Sequence, residues 1–135
     1  MLKKVMQFSI KTKKKQEIVD ITSEVREMAR KSKVKDGLCC VYVPHATCSV
    51  IINENADKGV CDDIISALNK IVPEHSGWKH DKIDNNAAAH IKSAIIGPSQ
   101  VIPVQNGNLM LGRWQGIALA EFDGPRERIV LVEVK

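Results

Sequence analysis

The chain has 135 residues, 44% hydrophobic and 27% charged, with a formal charge of +4. That length suits one domain with an ordinary core, and the balance is that of a globular chain rather than a disordered one. No apolar run nears the roughly 20 residues that cross a bilayer, and the lysine-bearing start lacks the apolar stretch of a signal peptide, so a cytoplasmic protein with no membrane partner is expected.

Residues 2–10 and 16–21 read as strands joined by a turn carrying Lys11, Lys13, Lys14 and Lys15, a solvated loop. Thr22 is positioned to cap a short helix with Val25, Met28 and Ala29 on its apolar side. Glu24 and Glu27 come early in it and Arg30 and Lys31 late, the order the helix dipole favours. Residues 38–43 are apolar at both alternating sets of positions, the pattern of a strand covered on each side. After Pro44, residues 48–53 form a second β-branched run. From Asp57, the residues Val60, Ile64, Ile65, Leu68 and Ile71 recur at helical spacing until Pro73 ends the element. Residues 72–83 look irregular. Asp84 is the expected cap of a helix running to about Ile96 and stopped by Gly97-Pro98. The last third reads as strand: 101–105, a turn at Asn106-Gly107, 109–111, 117–122 and 129–134. Pro103 marks an edge or a bulge. The expected fold class is α+β: one domain over residues 1–135, a mixed or antiparallel β-sandwich of about eight strands with two longer helices and one short one.

Charge is divided along the chain. Residues 1–35 hold 11 Lys+Arg against 4 Asp+Glu, and the remainder 9 against 12 together with all four histidines. A nucleic-acid face interleaves basic residues with aromatics for stacking, but aromatics are only 4% here, so no nucleic-acid partner is expected. The acidic remainder suits a cation, or a substrate delivered with one. Cys39 and Cys40 are adjacent, Cys48 and Cys61 stand apart and no CxxC occurs, which reads as buried reduced thiols.

Chemistry concentrates in two polar strings set in apolar surroundings. His45 heads HATCSVIINENAD, and His80 and His90 bracket HDKIDNNAAAH. Such groups are costly to bury unless they bond each other, a metal or a ligand. On a helical projection Ala87, Ile91 and Ala94 centre the apolar face of the helix after Asp84, with His90 on its shoulder and Asn86 one turn earlier. Glu54, Asn55 and Asp57 form a turn into the preceding helix. Asn55 or Asp57 serves equally well as that helix's cap, whereas Glu54 has no such structural role. Imidazoles and carboxylates from separate elements are typical divalent-metal ligands, although no finger or HExxH spacing occurs. Phosphate-loop, dinucleotide and serine-elbow motifs are absent too. Cys48 and His45 would face opposite ways on a strand, which weakens a thiol–histidine pair. The insert Gly112-Arg113-Trp114-Gln115-Gly116 and the turn Asp123-Gly124-Pro125-Arg126 each carry a guanidinium suited to clamping phosphate.

The order PHATCSVIINENAD, Asp62-Asp63, HDKIDNNAAAHIKSAIIGPS and IPVQNGNLMLGRWQGIALAEFDGPRER closely resembles the YjbQ-like family, whose members are described as secondary thiamine-phosphate synthases. The likeness runs from about Gly37 to the C-terminus, with a family-like hairpin before it. It implies a compact α+β sandwich assembled as a homotrimer, with a polar pocket near subunit boundaries that takes small phosphorylated metabolites. The implied reaction joins a pyrimidine methyl diphosphate to a thiazole phosphate and releases pyrophosphate. His45, His80 and His90 occupy the family's histidine positions, as metal or phosphate ligands. Glu54 and His45 are the catalytic candidates, and Asn55, Asp57, Asn86, Trp114, Gln115 and Arg126 the substrate-binding ones. Arg113 stands where relatives usually have a small hydroxyl residue, and Trp78 where Tyr is common. The implied cofactor is a divalent metal, zinc-like at the histidines or Mg²⁺ with the diphosphate. A non-catalytic module binding a metal or a phosphometabolite, and a metal-dependent hydrolase, remain compatible with the same residues.

Overall fold

The computed structural model describes residues 5–135, so the start of the first expected strand lies outside the described residues. Eight strands form two antiparallel sheets. The larger has the order β1 (Met6–Lys11), β8 (Glu127–Val134), β3 (Gly37–Tyr42), β5 (Ser99–Gln105) and β6 (Asn108–Leu109). The smaller has the order β2 (Glu17–Asp20), β7 (Gly116–Glu121) and β4 (Cys48–Asn53).

Alternation along the strands builds the core between the sheets. Cys39 and Val41 of β3, Ile102 and Val104 of β5, and Val130, Val132 and Val134 of β8 face Val50, Ile117 and Leu119 of the smaller sheet. Helix α1 (Thr22–Ser32) adds Val25 and Ala29 to this core. Strand β7 is buried on both faces because its other side, Ala120 with the following Phe122, packs under Ala89 of α3 (Ala87–Ile96). Leu68 of α2 (Lys58–Ile71) joins that second cluster. The layers are therefore large sheet, small sheet and helix pair. Among the described residues no helix is long and apolar enough to cross a membrane.

Several local expectations change. Thr22 does not cap α1 but opens it: its N–H donates to Asp20 Oδ1 (2.9 Å), and its hydroxyl takes the Ile117 N–H (2.9 Å). Asp84 is not the cap of α3, which starts after Asn86, and residues Lys79–Lys82 form a 3₁₀ turn inside the segment expected to be irregular. Strand β6 is shorter than expected, ending at Leu109. The buried residues of α3 are Ala87, as projected, with Ala88, Ala89, Lys92 and Ser93, whereas Ala94 is exposed. The projection missed this because Lys92 and Ser93 are polar yet fully enclosed. Lys92 satisfies its ammonium on Asn69 Oδ1 and Gln16 Oε1. Finally, β3 is covered on one face only. Leu38 and Tyr42, with Val101 on neighbouring β5, leave about half of each side chain open to solvent on the outer face of the large sheet (54%, 41% and 54%).

Candidate functional site

The small sheet sets the geometry. Cys48 pairs with Glu121 at one end of β4, and Asn53 with Gly116 at the other. Six extended residues separate those ends by roughly 17 Å. The candidate residues divide between them.

At the Cys48 end the chain buries an ion pair completely. Arg128 and Glu121 are 2% and 0% exposed, and the guanidinium Nε donates to Glu121 Oε1 at 2.9 Å. Arg128 Nη2 also donates to Glu121 Oε2 and to Thr47 Oγ1 (2.8 Å). The carboxylate accepts further bonds from the Thr12 hydroxyl and from the N–H groups of Phe122 and Asp123. Buried charges persist only when satisfied in this way. The network anchors the loop from Phe122 to Arg126. Gly124 in that loop lies directly on Lys14 O and the Thr12 hydroxyl, leaving no room for a side chain, and its N–H donates to Lys15 O. The lysine-rich turn is thus strapped to this loop through its backbone and Thr12, while the side chains of Lys11, Lys13, Lys14 and Lys15 stand in solvent as expected.

The loop in turn holds the start of α3. Asp123 Oδ2 accepts from Asn86 Nδ2 (2.8 Å) and from Arg126 Nη2 (2.9 Å). Asp81 Oδ1 takes the first helical N–H of α3, that of Ala87, at 3.0 Å. His80 and His90 meet edge to face with ring centroids 4.8 Å apart, and His80 Nε2 lies 3.5 Å from Asp84 Oδ2. Three polar atoms here are buried without a hydrogen-bond partner: His80 Nε2, Asp81 Oδ2 and Asn86 Oδ1. An orphaned buried polar atom costs about 1–3 kcal/mol, so three on one short segment ask for a ligand, an ion or water. A hollow of about 10 Å³, bordered by Asp81, Asn86, Asp123 and Lys15, adjoins them, enough for one water-sized group. An open cleft of about 420 Å³ lies on the other side, against Trp78, His80 and His90.

His45 reaches the same end by a different route. Its Nε2 accepts the Ile129 N–H of β8 at 2.9 Å. Burial pushes this imidazole below its ordinary pKa, and Arg128 acts in the same direction. His45 is thus a neutral acceptor built into the large sheet, and Nε2 is already engaged.

The remaining candidates stand at the opposite end. Asp57 is the α2 cap, accepting from Gly59 N–H at 2.8 Å. Asn55 donates to Asp20 Oδ1 (3.3 Å) and Ile117 O (3.2 Å), its amide pressed so closely on Gly116 that a Cβ there would collide with it. Glu54 follows Asn53, whose side chain takes the Glu54 N–H. Gln115 closes its own loop by accepting from Gly112 N–H (2.7 Å), and Trp114 is 66% exposed with the Arg113 guanidinium over its ring.

Within one chain the structure therefore groups His80, Asn86, His90 and Arg126, sets His45 at the same end with its Nε2 bound, and separates Glu54, Asn55, Asp57, Trp114 and Gln115 from them. Among the described residues no three His, Cys, Asp or Glu side chains gather as a metal-holding group. A zinc site takes three or four such ligands, and a single chain brings together the imidazoles of His80 and His90 while His45 Nε2 is held by the Ile129 N–H. The orphaned oxygens of Asp81 and Asn86 fit an oxygen-seeking ion better.

The sequence profile described as UPF0047 protein YjbQ-like matches residues 6–135. The chain belongs to the YjbQ-like family. It is 45% identical over 133 residues to UPF0047 protein MJ1081 of Methanocaldococcus jannaschii, covering 98% of this chain and 95% of that one. It is 41% identical over 128 residues to UPF0047 protein YugU of Bacillus subtilis, covering 93% and 94%. A crystal structure of a yjbq/upf0047 family protein from Clostridium acetobutylicum superposes with a TM-score of 0.93 at 44% identity, covering 97% of this chain and all of that one. A YjbQ-like protein of unknown function from Sulfolobus solfataricus gives 0.94 at 37%, covering 97% and 95%. In this YjbQ-like chain the residues that sequence reasoning missed are Glu121, Arg128, Thr12 and Thr47. The signal was present: Arg128 shares the inward parity of Val130, Val132 and Val134, where a charge demands a buried partner.

Proposed function

We propose that this YjbQ-like protein is a homotrimeric cytoplasmic transferase that joins a pyrimidine methyl diphosphate to a thiazole phosphate and releases pyrophosphate. The observation that carries the reading is the cluster of unpartnered buried atoms at His80, Asp81 and Asn86, beside the Arg126 guanidinium and an open cleft. In the reaction the thiazole nitrogen donates its electron pair to the methylene carbon while the carbon–oxygen bond to diphosphate breaks towards oxygen. The site must bind the departing anion, and Arg126 and the imidazoles of His80 and His90 supply donors for it. A Mg²⁺ ion arriving with the diphosphate would find oxygen ligands at Asp81 and Asn86 and would neutralise charge on the leaving group. Four free cysteines suit a reducing cytoplasm.

Two considerations support a trimer. The outer face of the large sheet presents Leu38, Tyr42 and Val101 uncovered, an apolar surface that a second copy would bury. A cyclic trimer also makes heterologous contacts, so one end of a protomer meets a different end of the next. That arrangement would bring Glu54, Asn55 and Trp114 of one copy to the histidines of another, joining halves that lie apart in one chain.

The test is to incubate purified protein with both substrates and Mg²⁺ and to measure thiamine phosphate. Turnover that His90→Ala removes, while sedimentation still reports a trimer, supports the reading; no product, or an unaffected His90→Ala variant, refutes it. One observation favours a second reading, a phosphometabolite-binding module without turnover: His45, a catalytic candidate, spends its acceptor nitrogen on the Ile129 backbone. Saturable pyrophosphate binding with no product would support that module.

A further inference from the structure

Trp78 divides two hollows. Its indole N–H donates to Pro73 O at 2.8 Å, which fixes the ring against the end of α2. On one side lies the 420 Å³ cleft, walled by Trp78, Lys79, His80, Ala87, His90 and Ile91. On the other is a shallower hollow shared with His75, Asp81 and Lys82. The larger cleft falls within the roughly 300–1,000 Å³ of small-molecule sites. Its walls are of distinct kinds. Ala87 and Ile91 stand one helical turn apart as an aliphatic side, and the imidazoles hold each other edge to face at 4.8 Å. Trp78 is the broad flat surface, and Lys79, exposed at the cleft, the cation.

Resting on the transferase reading, we infer that Trp78 is a specificity-determining residue: its indole is the platform for the planar heteroaromatic ring of an anionic substrate, whose phosphate turns towards Lys79 and the imidazoles. A ring already anchored by a hydrogen bond loses little freedom when a second ring stacks on it, so most of the contact is realised as affinity. The aliphatic wall closes the far side of a slab-shaped ligand. An acyclic phosphate would meet the same cations and forgo the stacking.

The experiment compares two probes by calorimetry on the intact protein: a pyrimidine methyl phosphate and glycerol 3-phosphate. The wild type is expected to bind the ring-bearing probe at least about tenfold more tightly, as one stacked base would give. Trp78→Ala removes that preference while glycerol 3-phosphate affinity stays within about twofold, and Trp78→Phe keeps most of it. The chain has two tryptophans, and the change in emission that the ring-bearing probe causes in the wild type is expected to be lost in Trp78→Ala. Equal binding of the two probes by the wild type, or a preference that survives Trp78→Ala, overturns the inference, and Trp78→Phe guards against a misfolded alanine variant. The two readings fail separately. Without turnover but with a Trp78-dependent ring preference, the transferase reading falls and the platform stands; with turnover and an unchanged KM in Trp78→Ala, the reverse holds.

Discussion

Replacing Glu121 by Gln alters one atom yet strikes the most enclosed charge in the protein. Glu121 Oε1 faces two donors, Arg128 Nε and the Thr12 hydroxyl, and Oε2 faces four, Arg128 Nε and Nη2 and the N–H groups of Phe122 and Asp123. An amide NH₂ placed at either position meets donors, and Arg128, 2% exposed, loses its counter-charge. Breaking a buried pair from one side costs about 3–5 kcal/mol. With a urea m-value of roughly 2 kcal/mol/M, the midpoint should fall by about 2 M. Arg128→Met should behave alike. The double variant Glu121→Met/Arg128→Met should lose less than either single change. Phe122 N–H retains Thr47 O (3.2 Å) and the Thr12 hydroxyl retains the backbone of Arg126, so the Asp123 N–H and the Thr47 hydroxyl are the groups stranded, at about 1–3 kcal/mol. Urea unfolding of the wild type, Glu121→Met, Arg128→Met and the double variant closes the cycle and measures the coupling directly. Single variants within 1 kcal/mol of wild type, or a double variant costing the sum of the singles, would refute the reasoning.

Further expectations concern both ends of the sandwich. Protonating His45 must break its bond with the Ile129 N–H, and its folded-state pKa is depressed. Its contribution to stability is thus complete above the ordinary imidazole value near 6.5 and is lost as pH falls through the lower folded value. The difference in unfolding free energy between wild type and His45→Ala, measured with urea, should therefore be about 1 kcal/mol at roughly pH 8 and shrink towards pH 5; a pH-independent difference contradicts this. Gly116→Ala should displace the Asn55 amide and cost about 1–3 kcal/mol, with part recovered in Gly116→Ala/Asn55→Ala; an unchanged melting temperature would show that the contact is slack. Tyr42→Glu/Val101→Glu places charge on the open sheet face and should convert the proposed trimer to monomer in sedimentation, with the far-UV spectrum retained. A surviving trimer would locate the interface elsewhere.

The fold was legible because its strands obey the period of two. Residues 48–53 and 117–122 were read within a residue of β4 and β7, and Asn106-Gly107 sits at the hairpin between β5 and β6. Local hydrophobicity misled where polar side chains are satisfied inside. Lys92 and Ser93 turned the buried face of α3 away from the projected one, and Asp81, distant from the helix it serves, caps it in place of Asp84. The candidate site was legible as residue types but not as one place. His80 and His90 do meet, because a 3₁₀ turn folds back on α3. The NEN turn follows the far end of β4 and the Trp114 loop precedes that of β7, and strand length alone keeps them from that pair. No periodicity in the sequence reports which end of a strand faces another copy of the chain.

A site shared between copies can be tested by mixing two inactive proteins, His90→Ala and Glu54→Gln, after unfolding and joint refolding. If each site takes one end from each of two neighbours, about a quarter of the sites in randomly mixed trimers are intact, and thiamine phosphate synthesis returns to about that fraction of wild type. If the mixture makes no product, while mixing wild type with itself under the same treatment does, the two ends do not meet across a subunit boundary.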